Sequence, residues 1–278
     1  MNRAASKSII HIKRSKGLQF IRIEEIREYR DLIYIMALRD IQVRYSQSIL
    51  GGLWAFLQPF IAMVVFSVVL GKFGKIPSDG VPYPLFSFAG LVPWSYFVKA
   101  VSASSISLVG NRSLLSKVYF PRLIIPLTPI LSGLPDFAIA FTSLICMMVY
   151  FGMYPSLSLM MVPLLLLLMM LTALGVGSLL AALNAKYRDI NQVISFVVQL
   201  WMFISPVVYP SSMVPERYKF VFMLNPLSGI IEGFRWALLG NIPFPAQMLA
   251  CSTLVSSMLF VVGLLYFKQM ERYFADII

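Results

Sequence analysis

The stretch Asn111–Arg122, NRSLLSKVYFPR, is a polar and basic island between two long apolar segments. It carries Arg112, Lys117 and Arg122 and no acid. The chain on either side is apolar enough to cross a bilayer, so the excess of cations predicts that this loop lies on the cytoplasmic side of a membrane. It then has two readings. One is a basic turn that only sets topology. The other is a compact loop that docks onto a soluble partner and carries its motion to the membrane helices.

The rest of the chain agrees with a membrane setting. Of 278 residues, 59% are hydrophobic and 13% charged, whereas a soluble domain is about half apolar and a quarter charged. The apolar segments are continuous rather than alternating, which favours helices over a β-barrel. The basic N-terminus is not followed closely by an apolar core, so no cleaved signal peptide is expected. Cys146 and Cys251 lie inside apolar segments without metal-ligand spacing, and the sole histidine is His11. Neither a zinc site nor histidine-based catalysis is expected. The sequence holds no GxxxxGK[ST], HExxH or GxSxG. No catalytic residue, metal or cofactor is therefore expected in this chain, and any work is powered by another protein or an ion gradient. The net charge of +11 is partly concentrated in residues 1–49, with ten Lys/Arg and five Asp/Glu. That segment suits the anionic inner face of a membrane, at about 1 kcal/mol per well-placed cation. Nucleic acid is not an expected partner, because no soluble domain presents the charge.

The expected fold is an all-α membrane protein with six transmembrane helices, an N-terminal interfacial amphipathic helix and short re-entrant extracytoplasmic helices. Residues 1–27 form a basic cytoplasmic tail. Residues 28–49 form the interfacial helix, with Leu32, Ile35, Met36, Arg39 and Val43 at helical spacing. The transmembrane domain covers 50–267, with spans at about 50–70, 85–109, 123–151, 157–183, 192–209 and 248–267. Residues 268–278 are a polar tail. Cation-rich loops at 110–122 and 184–191 put both termini in the cytoplasm and 210–247 outside. In that outer region Asn225 caps a helix with Pro226 at its first position, and Glu232 and Arg235 follow three apart. This helix is too short to span, so two short helices dipping back into the membrane are expected. In the fourth span Ala173, Gly177, Ala181 and Ala185 recur every four residues, a face for close helix packing.

Lys99 and Asp136 are the charges deepest in apolar sequence. Counted from the 110–122 loop, they sit about 6 Å apart in depth, so a pair across the second and third spans is expected. It is either a proton or ion relay, or a structural pair, or Lys99 instead lines a wet cavity. A relay needs more titratable groups than this sequence supplies, which favours the structural reading. Aromatic residues cluster near span ends: Trp54, Phe56, Phe60, Trp94, Tyr96, Phe97, Trp201, Phe203 and Tyr209. They read either as interfacial belts or as a conduit whose rings stack weakly on the faces of sugars.

The ordered series GLVPWSYF at 90–97, LLSKVYFPR at 114–122, KYRDI at 186–190, SPVVYP at 205–210, NPLSGIIEGFR at 225–235 and ERYFADII at 271–278 resembles the permease subunit of ABC-2 type bacterial polysaccharide exporters. The resemblance covers roughly residues 30–278. It implies a homodimer with two copies of a separate ATPase, which would hold the ATP and magnesium, in the cytoplasmic (inner) membrane. It implies that 110–122 is the main coupling element, through Asn111, Arg112, Leu115, Lys117, Tyr119, Phe120 and Arg122. Tyr187, Arg188 and Asp189 would make a second contact. Region 210–247, with Asn225, Pro226, Glu232 and Arg235, would form gate helices. Arg39 and Arg44 would attract the pyrophosphate of a polyprenyl-linked O-antigen, capsule or teichoic-acid polymer. A small-molecule or drug exporter of the same fold is the second reading, and a membrane-embedded enzyme or scaffold of glycolipid assembly a distant third.

Overall fold

The computed structural model describes residues 27–46, 51–118, 120–187, 189–240 and 242–271, with the side chain of Ser116 left out. The expected basic tail 1–27, apart from Arg27, lies outside the described residues, as do Tyr119, Arg188 and most of the C-terminal tail. Eleven α-helices carry the described chain: α1 Arg30–Tyr45, α2 Leu53–Phe66, α3 Tyr83–Gly110, α4 Arg112–Lys117, α5 Ile124–Ser132, α6 Leu134–Tyr150, α7 Val162–Lys186, α8 Ile190–Ile204, α9 Glu216–Met223, α10 Pro226–Leu239 and α11 Ala246–Met270. No strand occurs among the described residues. A π-helical segment, Ser67–Phe73, extends α2, and a short 3-10 turn precedes α7.

Five helical stretches are long and apolar enough to cross a membrane: Leu53–Phe73, Tyr83–Gly110, Ile124–Tyr150, Leu157–Lys186 and Ala246–Met270. The fifth expected span, 192–209, is different. Its helix, α8, stops at Ile204. Fifteen residues rise about 22 Å, short of the roughly 30 Å hydrocarbon core. The stretch after α8 is irregular and reaches the start of α3, where the Tyr83 hydroxyl donates to the Val208 carbonyl at 2.7 Å. At the other end of α3, Asn184 Nδ2 donates to the Ser105 carbonyl at 3.0 Å. Segment 190–208, part helical and part irregular, follows directly on that end and finishes against the start of α3.

The third span is also not one helix. It breaks at Gly133, between α5 and α6. Pro135 lacks the N–H that would bond back to Leu131, so the sequence itself enforces the break. The expected 184–191 island is smaller than the charge pattern suggested, because α7 runs on to Lys186 and α8 starts at Ile190. On α1 the expected apolar face splits. Met36 turns inward and is buried, while Ile35 and Val43 face outward.

α3 is the central helix: 78% of its apolar window is buried, against 17% for Leu53–Phe73 and for α11. It packs on α7 through the small-residue stripe, with Ala173, Ala181 and Ala185 buried. A β-carbon at Gly177 would come within 2.7 Å of Ser104 Cβ. The other face of α7 meets α11. There a β-carbon at Gly263 would overlap the Gly175 carbonyl, and one at Gly175 would lie 2.6 Å from Phe260 Cα. Lipid offers apolar surface as freely as another helix does, so close backbone approach and buried bonds such as Thr172 Oγ1 to Ser256 Oγ, 2.8 Å, hold these helices together.

Gly263→Leu forces α7 and α11 apart and should destabilise the protein by about 1–3 kcal/mol or more. It should lower the unfolding temperature in detergent. Gly110→Ala, which meets nothing within 4 Å, should leave that temperature unchanged.

Candidate functional site

The described residues form two hydrophobic clusters, and the functional candidates gather around both. The smaller cluster lies at the end of α3 that leads into the basic 111–122 loop. It joins Met36 of α1, Leu108 of α3, Phe120, Leu123, Ala181 of α7 and Phe267 of α11. Phe120, assigned to the ATPase contact by resemblance, is 4% exposed and packs into this cluster. The outward residues of the loop are Arg112, Ser113, Lys117 and Val118, with Leu115 half-buried beneath them. Tyr187 and Asp189 are also exposed. Arg122 turns the other way and donates to the Glu271 carbonyl at the end of α11. Asn111 Nδ2 caps the Ser107 carbonyl at 2.9 Å, while its Oδ1 accepts from Arg39 Nη2 at 3.0 Å. The loop is thus tied to both α1 and α11.

Five residues beyond Arg39, α1 meets the broken third span. Arg44 Nη1 lies 2.9 Å from Asp136 Oδ2, and the same guanidinium reaches Ser132 Oγ and the Ser132 carbonyl at 3.4 Å. Tyr45 donates its hydroxyl to Asp136 Oδ1. Burial, and then the neighbouring carboxylate, push the Tyr45 phenol up to about 12. It therefore remains a donor through the physiological range. A raised phenol pKa stabilises the fold fully below about pH 10 and is lost between 10 and 12. Lys99, the partner expected for Asp136, has its ammonium 3.9 Å from Oδ2. The carboxylate is therefore a hub for α1, α3 and α6. Arg44, placed at an entrance by resemblance, spends its guanidinium on this hub. Nothing in the sequence pointed to Arg44 or Tyr45 as its closest partners, since they lie 92 and 91 residues away.

At the opposite end of α3 sits a second buried ion pair. Arg235 is 1% exposed and Glu232 3%. Arg235 Nη1 meets Glu232 Oε1 at 3.2 Å, and Nη2 donates to the Val207 carbonyl at 2.7 Å. The guanidinium stacks 3.7 Å from the centre of the Phe86 ring. Glu232 Oε1 also accepts the Ser211 amide at 3.1 Å. Gly90 makes room, since a β-carbon there would lie 2.8 Å from Arg235 Nη2. Asn225 caps α10 as expected, accepting the Leu227 amide at 3.1 Å, and it also accepts from Trp201 Nε1 at 3.0 Å. The sequence put Glu232 and Arg235 three apart on a helix, and the structure pairs them. The irregular carbonyls that complete it carry no sequence signature.

The aromatic candidates divide. Trp94, Tyr96 and Phe97 are buried inside the protomer, with Phe97 edge-on to Trp201 at 5.4 Å and Tyr96 donating to the Ile130 carbonyl at 3.0 Å. Phe56 and Phe60 are half-buried, with their rings tilted and their centres 4.9 Å apart. Tyr209 is half-buried too, whereas Trp54 and Phe203 face outward. Among the described residues no group of three or more His, Cys, Asp or Glu could hold a metal.

Removing one member of the buried pair strands the other charge, at a cost of about 3–5 kcal/mol. Arg235→Met and Glu232→Met should each lower the unfolding temperature sharply. The double variant should be more stable than the sum of the two losses predicts, which a double-mutant thermal cycle in detergent measures.

A family model described as ABC-2 type transporter matches residues 31–239. The chain is 27% identical over 249 residues to an O-antigen export system permease protein RfbA of Klebsiella pneumoniae, covering 89% of this chain and 95% of that protein. It is 28% identical over 216 residues to the RfbA of Myxococcus xanthus, covering 77% and 82%. It is 25% identical over 210 residues to the polysialic acid transport protein KpsM of Escherichia coli, covering 73% and 79%. The family match begins within α1 and ends with α10, so it takes in the Asp136 hub, the basic loop and the Arg235 pair. The chain belongs to the ABC-2 type transporter membrane family, as a multi-pass permease and not an enzyme.

Proposed function

We propose that this chain is the membrane subunit of an ATP-driven exporter that moves lipid-linked polysaccharide across the cytoplasmic membrane. The observation that carries the reading is the match, along nearly their whole length, to permeases named for O-antigen export. The energy comes from a separate ATPase, since the chain has no phosphate-binding loop. Two copies of the chain and two of the ATPase make the working unit, with ATP and magnesium on the ATPase. The lipid carrier is a polyprenyl pyrophosphate.

Six crossings with both termini inside account for the path of the chain. α11 returns to the coupling-loop end, where Arg122 meets Glu271. α9 and α10 then lie at the extracytoplasmic end as re-entrant gate helices. The exposed cations Arg112 and Lys117 face the ATPase, with Tyr187 beside them. ATP-driven closure pushes this loop. The push passes through Asn111 to Arg39, along α1, and through Arg44 to Asp136 at the break in the third span. α1 is the stiff link in this chain, because two charged bonds fix it at points five residues apart.

In a strain lacking the chain, surface polysaccharide should disappear while lipid-linked polymer accumulates inside the cell. Normal surface polysaccharide would refute the export reading, and loss of both pools would assign the chain to synthesis. Arg112→Glu with Lys117→Glu leaves the packing intact. It should abolish complementation while the protein still reaches the membrane, as read by surface glycan and immunoblot.

A further inference from the structure

We propose that each protomer carries an extracytoplasmic saccharide site that prefers neutral sugars to anionic ones. The inference rests on the export reading and narrows its substrate class. The site is a cavity of about 910 Å³ between α9, α10, the start of α11 and the loop before α3. It lies at the far end of α3 and α11 from the coupling loop.

Three features make it a sugar site. First, its polar wall is an array of fixed acceptors. Glu232 lines the cavity, although 3% exposed, and is held from behind by Arg235 and the Ser211 amide. Asp79 is set by Ser212, whose hydroxyl donates at 3.1 Å. Such carboxylates receive the hydroxyl hydrogens of a sugar without rearranging, which limits the entropy lost on binding. Second, an aromatic ring stands open at the wall. Phe244 is 53% exposed and is braced edge-on by Trp236, with ring centres 4.7 Å apart. An exposed ring braced in this way offers a flat apolar face to the C–H side of a pyranose. Third, the charge is wrong for an anion. Asp79, Glu216 and Glu232 face a single lysine, Lys219, and Lys219 is already paired with Glu216. With Arg235 behind Glu232, the formal charge of the set is −1. Like charges in a recess of this kind disfavour a carboxylated or phosphorylated sugar. The chain as a whole carries +11, so this acidic recess runs against the overall charge.

The site gives an exported polymer a hold on the outer side, so that a segment that has emerged does not slide back. It also separates the two substrate types named among the relatives. A neutral polymer fits it, and a polyanion such as polysialic acid does not.

The test uses the full-length permease with its ATPase in lipid nanodiscs, titrated by saturation-transfer NMR. The probes are neutral heptasaccharides of glucose, mannose and galactose, and a sialic acid heptamer. At least one neutral probe should bind, with the sialic acid heptamer weaker by about tenfold or more, or 1.4 kcal/mol. Phe244→Ala removes the exposed ring together with its edge-on contact to Trp236, and should weaken neutral binding by about fivefold or more. Glu216→Lys should narrow the gap between neutral and anionic probes. Failure of every neutral probe to bind overturns the site. So does equal binding of the anionic probe, or neutral binding that Phe244→Ala leaves unchanged. Surface-glycan complementation by the unaltered gene reads the export premise separately. Export with no binding at the cavity overturns the site alone, and absence of export overturns the premise.

Discussion

The link from the basic loop through α1 to the broken third span ends on one carboxylate. Asp136 sits just after a break that Gly133 and Pro135 impose, and it holds Arg44, Tyr45 and Lys99 around it. A carboxylate at this depth is tolerable only with such partners, since an unpaired charge in a membrane helix is costly. The same need for partners draws α1 onto the bundle. α1 has a single fully buried side chain among those described, Met36, so apolar packing alone does not hold it there. The ion pair fixes where α1 lies, and the Arg39–Asn111 bond then fixes the loop to α1.

The two ends of α3 are built on opposite plans. At the loop end, charged side chains bridge separate elements and remain partly open to water. At the far end the Glu232–Arg235 pair is almost wholly enclosed, and it also bonds irregular backbone through the Val207 carbonyl and the Ser211 amide. Non-helical chain at membrane depth survives only where its carbonyls and amides are satisfied from within. Arg235 supplies that satisfaction for the stretch after α8. The first arrangement suits a moving linkage and the second a fixed frame.

Much of this was legible in the sequence, because in a membrane the apolar run is itself the signal. Four of the six expected spans appear as long helices near their expected limits, and the small-residue stripe of α7 faces a neighbour. The closeness of Lys99 and Asp136 followed from depth alone. The misses share a cause. Hydropathy reports how apolar a segment is, but not whether its backbone stays helical. The break at Gly133 and the early end of α8 were therefore hidden inside apolar runs. Burial of Trp94, Tyr96, Phe97 and Phe120 was hidden for a related reason, because a ring reads alike whether it faces lipid, substrate or core. The pairing of Arg44 with Asp136 was hidden because the two lie 92 residues apart.

The role proposed for the Asp136 hub is to carry motion from the loop to the membrane path. Reconstituted permease and ATPase would be assayed for ATP hydrolysis and for movement of lipid-linked glycan, with Asp136→Asn and with Arg44→Asp combined with Asp136→Arg. Asp136→Asn should hydrolyse ATP but move little glycan, and the charge swap should recover part of the movement. Glycan movement by Asp136→Asn at the unaltered rate would contradict that role.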